Sequence, residues 1–285
     1  MNILVSCDDG IAAEGFAALA AEAARLGTVR AAATERPASG IGHAVTLHRP
    51  VACWPAEVPG AERAVAVRGT PADAVKLALA ELWPGWAGLV LSGINAGPNV
   101  GVNAFYSGTV GAAAEAAVAG VPAVALSLDV SAPYDFPAAA ERARPVLERL
   151  AALAPWTPGL LFNVNLPASG RPVRGIRLTR HGRSGFREFY RSCACPEGDS
   201  TSSSPEALSL SKGGAPDGAC FYSVDGNMEI HDPDDWTDAA ALAAGHVSVT
   251  PMFLDLTVEP LRRREPEQAG AVAATLARLD DWRQP

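Results

Sequence analysis

The chain has 285 residues, enough to bury a sizeable core in one large domain or two smaller ones. Its formal net charge of −8 argues against the basic face that duplex nucleic acid requires. No apolar run approaches the ~20 residues that span a bilayer, and the N-terminus lacks a basic and apolar secretory signal. The five cysteines have no zinc-site spacing. We therefore expect a cytoplasmic protein with free thiols and neither membrane nor duplex nucleic-acid partners.

The first ten residues, MNILVSCDDG, combine a short apolar strand with two adjacent carboxylates, Asp8 and Asp9. Residues 12–26 follow with the three- and four-residue apolar spacing of a helix. Strand, turn and helix make half of a βαβ unit, so both carboxylates are expected where open α/β sheets bind ligands. Two neighbouring carboxylates repel each other, and a hard divalent cation relieves that repulsion. The alternative at this point is a solvated Asp8 beside a helix cap at Asp9.

Strands and helices continue to alternate as far as about residue 165. The helix start near residue 70 is the clearest, because Thr70, Pro71 and Asp73 supply an N-cap, a first-turn proline and a capping-box acid. Residues 93–101, GINAGPNVG, read as a loop. The alternation predicts an α/β fold with a doubly wound, mostly parallel sheet. Its predicted strands cover residues 28–33, 45–51, 64–68, 87–92, 123–128 and 160–166, and its helices residues 69–83, 106–120 and 137–153.

The pattern changes after about residue 165, which indicates an α+β or hairpin-bearing extension. Further strands are predicted without intervening helices, at residues 175–180, 186–190, 220–224 and 246–258. Residues 197–218 are rich in Ser, Gly and Pro and predict a mobile loop. The expected domains are a core over residues 1–170, an extension over residues 171–262 that returns to the core, and a helical tail over residues 263–285.

Small oxygen-bearing side chains from separate segments are predicted at one edge of the sheet. Ser39 lies in a loop over residues 35–42 that is rich in Pro, Gly and Ser, and Asn95 follows the strand at residues 87–92. With Asp8 and Asp9 they suit an open octahedral Mg²⁺ or Mn²⁺ site that accepts a substrate phosphate. Zinc would favour His or Cys, but the five histidines are unclustered and are expected to be structural or surface residues. An Asn95 bonded to its own backbone is the alternative.

A second group of polar residues surrounds the start of the helix at residues 106–120. A glycine-rich entry into a helix presents free N–H groups and the positive end of the helix dipole, which favours an anion. No Walker loop, dinucleotide fingerprint or nucleophile elbow occurs in the sequence. Simple helix capping by Ser107 or Thr109 is the alternative. The candidate anion contacts are Asn99, Ser107, Gly108 and Thr109.

Seven stretches along the chain form an ordered set of motifs: ILVSCDDGIAAEGFAAL, RPASGIGHAVTLHRP, GTPADAVKLAL, LVLSGINAGPNVG, YSGTVGAAAEAAVAGVPAVALSL, FNVNLP and GHVSVTPMFLDLT. Together they resemble the SurE family of 5′-nucleotidases (survival protein E). The resemblance covers residues 1–258, with a gap around residues 192–220. It implies a Rossmann-like core, a hairpin extension used in homodimers or homotetramers, and metal-dependent hydrolysis of nucleoside 5′- or 3′-monophosphates.

The resemblance also implies roles for the residues that match its motifs. One Mg²⁺ or Mn²⁺ per subunit would activate a water for attack on phosphorus, with Asp8 or Asp9 as general base. The implied metal ligands are Asp8, Asp9, Ser39 and Asn95. The implied phosphate contacts are Asn99, Ser107, Gly108 and Thr109.

One position departs from the family pattern, and two other function classes remain open. The family usually has Asn where this chain has Cys7, which removes a supporting hydrogen bond and places an oxidisable thiol beside the ligands. A nucleotide-binding or sensing module could use the same anion site without hydrolysis. A nicotinamide-dependent dehydrogenase is disfavoured because the glycine fingerprint is missing.

Overall fold

A computed structural model describes residues 1–153, 156–193, 220–229 and 236–256. The expectations for residues 197–218 and 263–285 lie outside the described residues. Among the helices that are described, none is both long and apolar enough to cross a membrane.

The described residues form eleven strands and five α-helices. The strands are β1 (Asn2–Ser6), β2 (Thr28–Thr34), β3 (Ala52–Ala56), β4 (Arg63–Arg68), β5 (Leu89–Ala96), β6 (Ala123–Leu128), β7 (Leu160–Leu166), β8 (Ile176–Leu178), β9 (Gly185–Cys193), β10 (Phe221–Glu229) and β11 (Val247–Phe253). The helices are α1 (Glu14–Ala23), α2 (Pro71–Leu77), α3 (Gly108–Val118), α4 (Phe136–Ala152) and α5 (Asp238–Ala243). A π-helical turn (Ala78–Leu82) follows α2, and a 3₁₀ turn (Gly101–Phe105) precedes α3.

Nine strands form one sheet in the order β3-β4-β2-β1-β5-β6-β7-β11-β8. In the order of the sheet, the six consecutive strands β4, β2, β1, β5, β6 and β7 are parallel. At either side of them, β3 pairs antiparallel with β4, and β11 pairs antiparallel with β7. The chain winds outward in opposite directions from β1 and β5, so the switch in strand order falls between these two strands. Open α/β sheets bind ligands at the carboxyl ends of such strands. The predicted doubly wound, mostly parallel sheet is confirmed.

Helices cover both faces of this sheet, as strands buried on two sides require. Along β1, Ile3 and Val5 pack into a cluster with residues of α1 and α4, whereas Leu4 packs into a second cluster with residues of α2 and α3. The helix start near residue 70 is confirmed, because the Thr70 and Asp73 side chains cap each other's backbone N–H groups. These two layers hold the carboxyl ends of β1 and β5 rigidly between α1 and α3.

Three predictions about secondary structure are wrong. Residues 45–51 are not a strand: Thr46 donates from its backbone and hydroxyl to Asp73, which draws this segment against α2. Residues 93–101 are not all loop, because β5 continues to Ala96 through a register shift between Ser92 and Asn95. A helix does precede the last strand, since α5 is capped by the Thr237 hydroxyl.

The predicted hairpin is confirmed and stands apart from the main sheet. The strands β9 and β10 pair antiparallel with each other alone in a two-stranded sheet. Its base is anchored where the backbone N–H of Phe186 donates to the Asn103 side chain at 3.0 Å. Tyr190 and Tyr222 are among its exposed large side chains. Before and after the hairpin, β8 and β11 join the main sheet.

Candidate active site

The turn after β1 brings two carboxylates to the end of β5. The side chain of Asp9 accepts a hydrogen bond from the backbone N–H of Ala96 at 3.1 Å between Oδ2 and N. Gly10 has a φ of +98°, and a Cβ there would lie 3.3 Å from the backbone carbon of Arg36, so the turn requires glycine. Asn95 donates from Nδ2 to the Gly97 carbonyl at 2.7 Å, which leaves its Oδ1 as a ligand oxygen. The turn after β1 and the end of β5 therefore lie together, as the sequence predicts.

Asp8 is buried against the first turn of α3. Its side chain is 3% exposed, and its Oδ1 accepts a hydrogen bond from the Thr109 hydroxyl. A Cβ at Gly108 would lie 2.8 Å from Asp8 Oδ2, so the absence of a side chain at Gly108 lets the carboxylate reach the helix. The Thr109 hydroxyl, expected to face phosphate, thus contacts Asp8.

The two carboxylates carry negative charge that the local structure stabilises poorly. Burial raises the pKa of Asp8 to about 6, the hydrogen bond from Thr109 opposes that rise, and the nearby charge of Asp9 adds to it. Burial also raises the pKa of Asp9, against the hydrogen bond from Ala96. Within the described ranges, no Lys, Arg or His forms an ion pair with either carboxylate. A bound cation would relieve this repulsion.

The raised pKa of Asp8 predicts a pH-dependent stability of the metal-free protein. The folded state binds the Asp8 proton more tightly than the unfolded chain between the ordinary pKa of 3.8 and about 6. Asp8 therefore contributes a fall of about 3 kcal/mol in the free energy of unfolding as pH rises through this window, complete once Asp8 is fully ionised. Urea unfolding in EDTA at several pH values measures this contribution as the difference between the unaltered protein and Asp8→Asn. The free energy of unfolding of the unaltered protein should fall relative to that of Asp8→Asn as pH rises, and a constant difference would contradict the prediction.

Ser39 lies beside the carboxylates on an exposed loop. The preceding residue, Ala38, donates its backbone N–H to the Asp8 carbonyl at 2.7 Å, which ties the loop to the turn after β1. Asp8, Asp9, Asn95 and Ser39 therefore present carboxylate, amide and hydroxyl oxygens to one edge of the sheet. Hard cations such as Mg²⁺ and Mn²⁺ prefer this set of oxygen donors, and the residues present fit such an ion.

Cys7 is a buried thiol and not a ligand. Its Sγ donates to the Gly10 carbonyl at 3.2 Å, inside the turn that carries the two carboxylates. Burial raises the pKa of this thiol well above its usual range, and the charges of Asp8 and Asp9 add to that effect. A protonated, buried thiol is poorly reactive, so the structure disfavours the oxidation that the sequence suggested.

The candidate anion site lies at the first turn of α3. Ser107 is the N-cap of α3, and its Oγ accepts from the Val110 N–H at 3.1 Å, so the capping alternative is confirmed for this residue. The Ser107 hydroxyl still has its own proton to donate. The N–H groups of the first turn also lie at the positive end of the helix dipole. Capping and phosphate binding are thus compatible at this helix start.

A network of buried amides holds Asn99, and this network was missed from the sequence. The Asn99 N–H donates to Asn165 Oδ1 at 2.8 Å, and its carbonyl accepts from Asn163 Nδ2 at 2.7 Å. Its side chain donates to Ser127 Oγ at 2.8 Å. The available signal was the alternation of Asn163 and Asn165 in the otherwise apolar run LLFNVNL. These partners orient Asn99 and leave its Oδ1 and one N–H for a ligand.

Fold and site together define an α/β protein with a candidate oxygen-donor cation site and a candidate anion-binding helix start at its topological switch point. The profile of the family described as Survival protein SurE matches residues 3–188. Curated relatives have the same family name over most of the chain. The chain belongs to the SurE family.

Relatives and a solved structure agree on this membership. A protein from Symbiobacterium thermophilum named 5′-nucleotidase SurE is 39% identical over 90% of this chain and 93% of its own length. A protein of the same name from Syntrophobacter fumaroxidans is 38% identical over 90% of this chain and 95% of its own. The crystal structure of a SurE protein from Aquifex aeolicus is 29% identical, with a TM-score of 0.72 over 94% of this chain and all of that one.

Proposed function

We infer that this protein is a 5′-nucleotidase, which hydrolyses nucleoside 5′-monophosphates to a nucleoside and phosphate. The observation that carries the inference is the meeting of the Asp8–Asp9 turn with the first turn of α3 at one sheet edge. It occurs in a SurE-family chain whose relatives are named as 5′-nucleotidases. We extend the proposed substrates to nucleoside 3′-monophosphates, because the contacts proposed for the site are all with the phosphoryl group, which both kinds of substrate carry.

We propose that one Mg²⁺ or Mn²⁺ binds to each subunit. The oxygen donors at the sheet edge and the raised pKa values of two adjacent carboxylates support this proposal. When bound, such an ion lowers the pKa of a water and offsets negative charge on the phosphoryl oxygens. The proposed ligands are Asp8, Asp9, Ser39 and Asn95.

The side chains of the site divide the remaining work between them. Asn99, Ser107 and Gly108 are the proposed contacts that orient the phosphoryl group, through an amide, a hydroxyl and a helix N–H. Thr109 positions Asp8, since its hydroxyl donates to that carboxylate. A water attacks phosphorus while the bond to the ester oxygen breaks, and the nucleoside oxygen takes a proton from solvent.

We assign the general base to Asp9. It is less buried than Asp8, and its Oδ2 already accepts from Ala96, so Oδ1 is the atom that receives the water's proton. Asp8 is less suited to this role, because it is only 3% exposed and its carboxylate lies against Gly108 and Thr109 of α3.

We also propose a cytoplasmic location and a homodimer or homotetramer that uses the β9–β10 hairpin. In the part of the chain that the structure describes, Cys7, Cys53 and Cys193 form no disulfide bond, which fits a reducing compartment. The hairpin exposes Phe189, Tyr190 and Tyr222 outside the main sheet. Interfaces between subunits are enriched in such aromatic side chains.

The test is phosphate release from AMP by the purified protein with Mn²⁺ or Mg²⁺, repeated after EDTA treatment and again after metal is restored. We expect release that EDTA abolishes and restored metal recovers. Release that survives complete chelation would contradict the metal proposal. Tight binding of AMP without release, at any metal concentration, would instead favour a nucleotide-binding module.

A further inference from the structure

The loop that carries Ser39 depends on side-chain contacts for its position. Between the end of β2 and the start of β3, residues 35–51 are described throughout and contain no helix or strand. Ser39 is exposed, and a Cβ on the next residue, Gly40, would meet no atom within 4 Å. The other proposed ligands lie next to β1 or on β5. The Ala38 N–H, which donates to the Asp8 carbonyl at 2.7 Å, holds the loop on the N-terminal side of Ser39, so contacts on its C-terminal side limit how far the Ser39 hydroxyl can move.

Backbone contacts seat the loop on α3. The Gly42 N–H donates to the Tyr106 carbonyl at 2.9 Å, just before α3 begins. A Cβ at Gly111 would lie 2.5 Å from the Gly42 carbonyl oxygen, so the loop lies directly against the helix. The hydrogen bond from Gly42 and this close approach together place the middle of the loop against the start of α3.

A buried carboxylate on α3 adds a side-chain contact to these backbone contacts. Glu115 is 5% exposed, and its Oε2 lies 2.8 Å from His43 Nε2 on the Ser39 loop. Its Oε1 accepts from Lys76 Nζ on α2 at 2.6 Å. Both carboxylate oxygens are thus engaged, one by the loop and one by α2. A buried, doubly hydrogen-bonded carboxylate has one orientation, so it presents a fixed partner to the histidine.

The same side of α3 contacts both the turn that carries Asp8 and Asp9 and the loop that carries Ser39. Gly108 lies against Asp8, Gly111 against Gly42, and Glu115 against His43. Residues separated by three and four positions share one face of an α-helix. One face of α3 therefore helps to set the distance between Asp8 and the part of the loop that follows Ser39.

We propose that His43 and Glu115 are positioning residues for the cation site. Their hydrogen bond holds the part of the loop that follows Ser39 against α3, and so keeps the Ser39 oxygen beside Asp8 and Asp9. This inference rests on the proposed role of Ser39 as a metal ligand. We expect the loss of either residue to weaken cation binding, because neither His43 nor Glu115 is assigned a contact with the phosphoryl group.

The experiment is calorimetric titration of the full-length, metal-free protein with Mn²⁺ in the absence of substrate. His43→Ala should weaken Mn²⁺ binding about tenfold, the loss expected for one hydrogen bond to a charged group. His43→Gln should restore most of the affinity, because a glutamine amide can donate to Glu115 from nearly the position of Nε2. The matched control is His48→Ala, which removes an exposed histidine from the same loop and should bind Mn²⁺ as the unaltered protein does.

A second readout separates positioning from general stability. The Mn²⁺ concentration for half-maximal AMP hydrolysis should rise about tenfold in His43→Ala, in proportion to the affinity, while kcat at saturating Mn²⁺ stays near that of the unaltered protein. A lowered melting temperature in EDTA with unchanged Mn²⁺ affinity would show that the pair is merely structural and would overturn the inference.

Ser39→Ala, titrated in parallel, distinguishes this failure from failure of the proposed function. Weaker Mn²⁺ binding in Ser39→Ala but not in His43→Ala would overturn the positioning role alone. Unchanged binding in both variants would overturn it together with the assignment of Ser39 as a ligand. Loss of binding in Asp9→Asn would still identify the carboxylate site in that case.

Discussion

Asp9→Asn is expected to lower kcat for AMP hydrolysis by about 10²- to 10⁴-fold, the range for removal of a general base. The amide oxygen can still accept the hydrogen bond that Ala96 donates to Oδ2, so the end of β5 keeps its contact. The charge that binds a cation is lost, and so is the group that takes the water's proton. A high concentration of Mn²⁺ compensates for weaker cation binding, so steady-state kinetics under that condition measures the loss of kcat caused by the missing proton acceptor.

Asp129→Asn is the matched control for this substitution. Asp129 follows β6 at the same edge of the sheet, is not a proposed ligand, and accepts from the Ser131 N–H through Oδ1 at 2.9 Å. We expect turnover close to that of the unaltered protein. Near-normal kcat in Asp9→Asn would remove Asp9 from the mechanism, and an equal loss in both variants would indicate a general electrostatic effect of the sheet edge.

Gly108→Ala is expected to lower kcat/KM by about 100-fold, because a catalytic group displaced by about 1 Å can cost that much. The new Cβ would lie 2.8 Å from Asp8 Oδ2, 2.9 Å from Asp8 Cβ and 3.1 Å from Pro71 Cγ. Either the carboxylate or the start of α3 has to move, and both movements disturb the hydrogen bond between Thr109 and Asp8. Overpacking of this kind also lowers the free energy of unfolding by about 1–3 kcal/mol.

Kinetics and urea unfolding of Gly108→Ala are best compared with those of Gly88→Ala. A Cβ at Gly88 would meet the Asn2 carbonyl oxygen at 3.7 Å and Met1 Cγ at 4.0 Å, which are ordinary contacts. Gly88 lies just before β5, at the end of the strand opposite the site. We expect little change in kcat/KM there. Full activity in Gly108→Ala would mean that Asp8 tolerates displacement and is not a ligand.

Local chemistry was enough to predict most of the elements and the position of the acidic pair. The strands β6 and β7 have the bounds that their apolar runs predict, and the start of α2 follows from Thr70, Pro71 and Asp73. Asp8 and Asp9 were placed at the carboxyl edge because a strand, a turn and a helix follow one another within 26 residues. Each of these predictions depends on neighbours in the sequence, through side-chain periodicity, capping and turn chemistry.

The predicted edge of the sheet already grouped Ser39 and Asn95 with the acidic pair, but left alternatives open. Both residues lie in segments whose composition indicates a loop, and single loop residues of these types often bond their own backbone. Asn95 does so, through Nδ2 to the Gly97 carbonyl. The ordered motifs of the family resemblance pointed to the same residues and implied a role for each of them.

Only the tertiary structure decided which side chains support the site. Thr109 contacts Asp8 across 101 residues of sequence, Asn165 contacts Asn99 across 66, and Glu115 contacts His43 across 72. Such pairs depend on the order of the strands in the sheet and on the position of α3 against it. Neither can be predicted from periodicity in the sequence. The continuation of β5 to Ala96 has the same cause, because pairing with β6 resumes after the register shift. The sequence alone thus determined the layers and the acidic edge, whereas long-range packing determined how that edge is held.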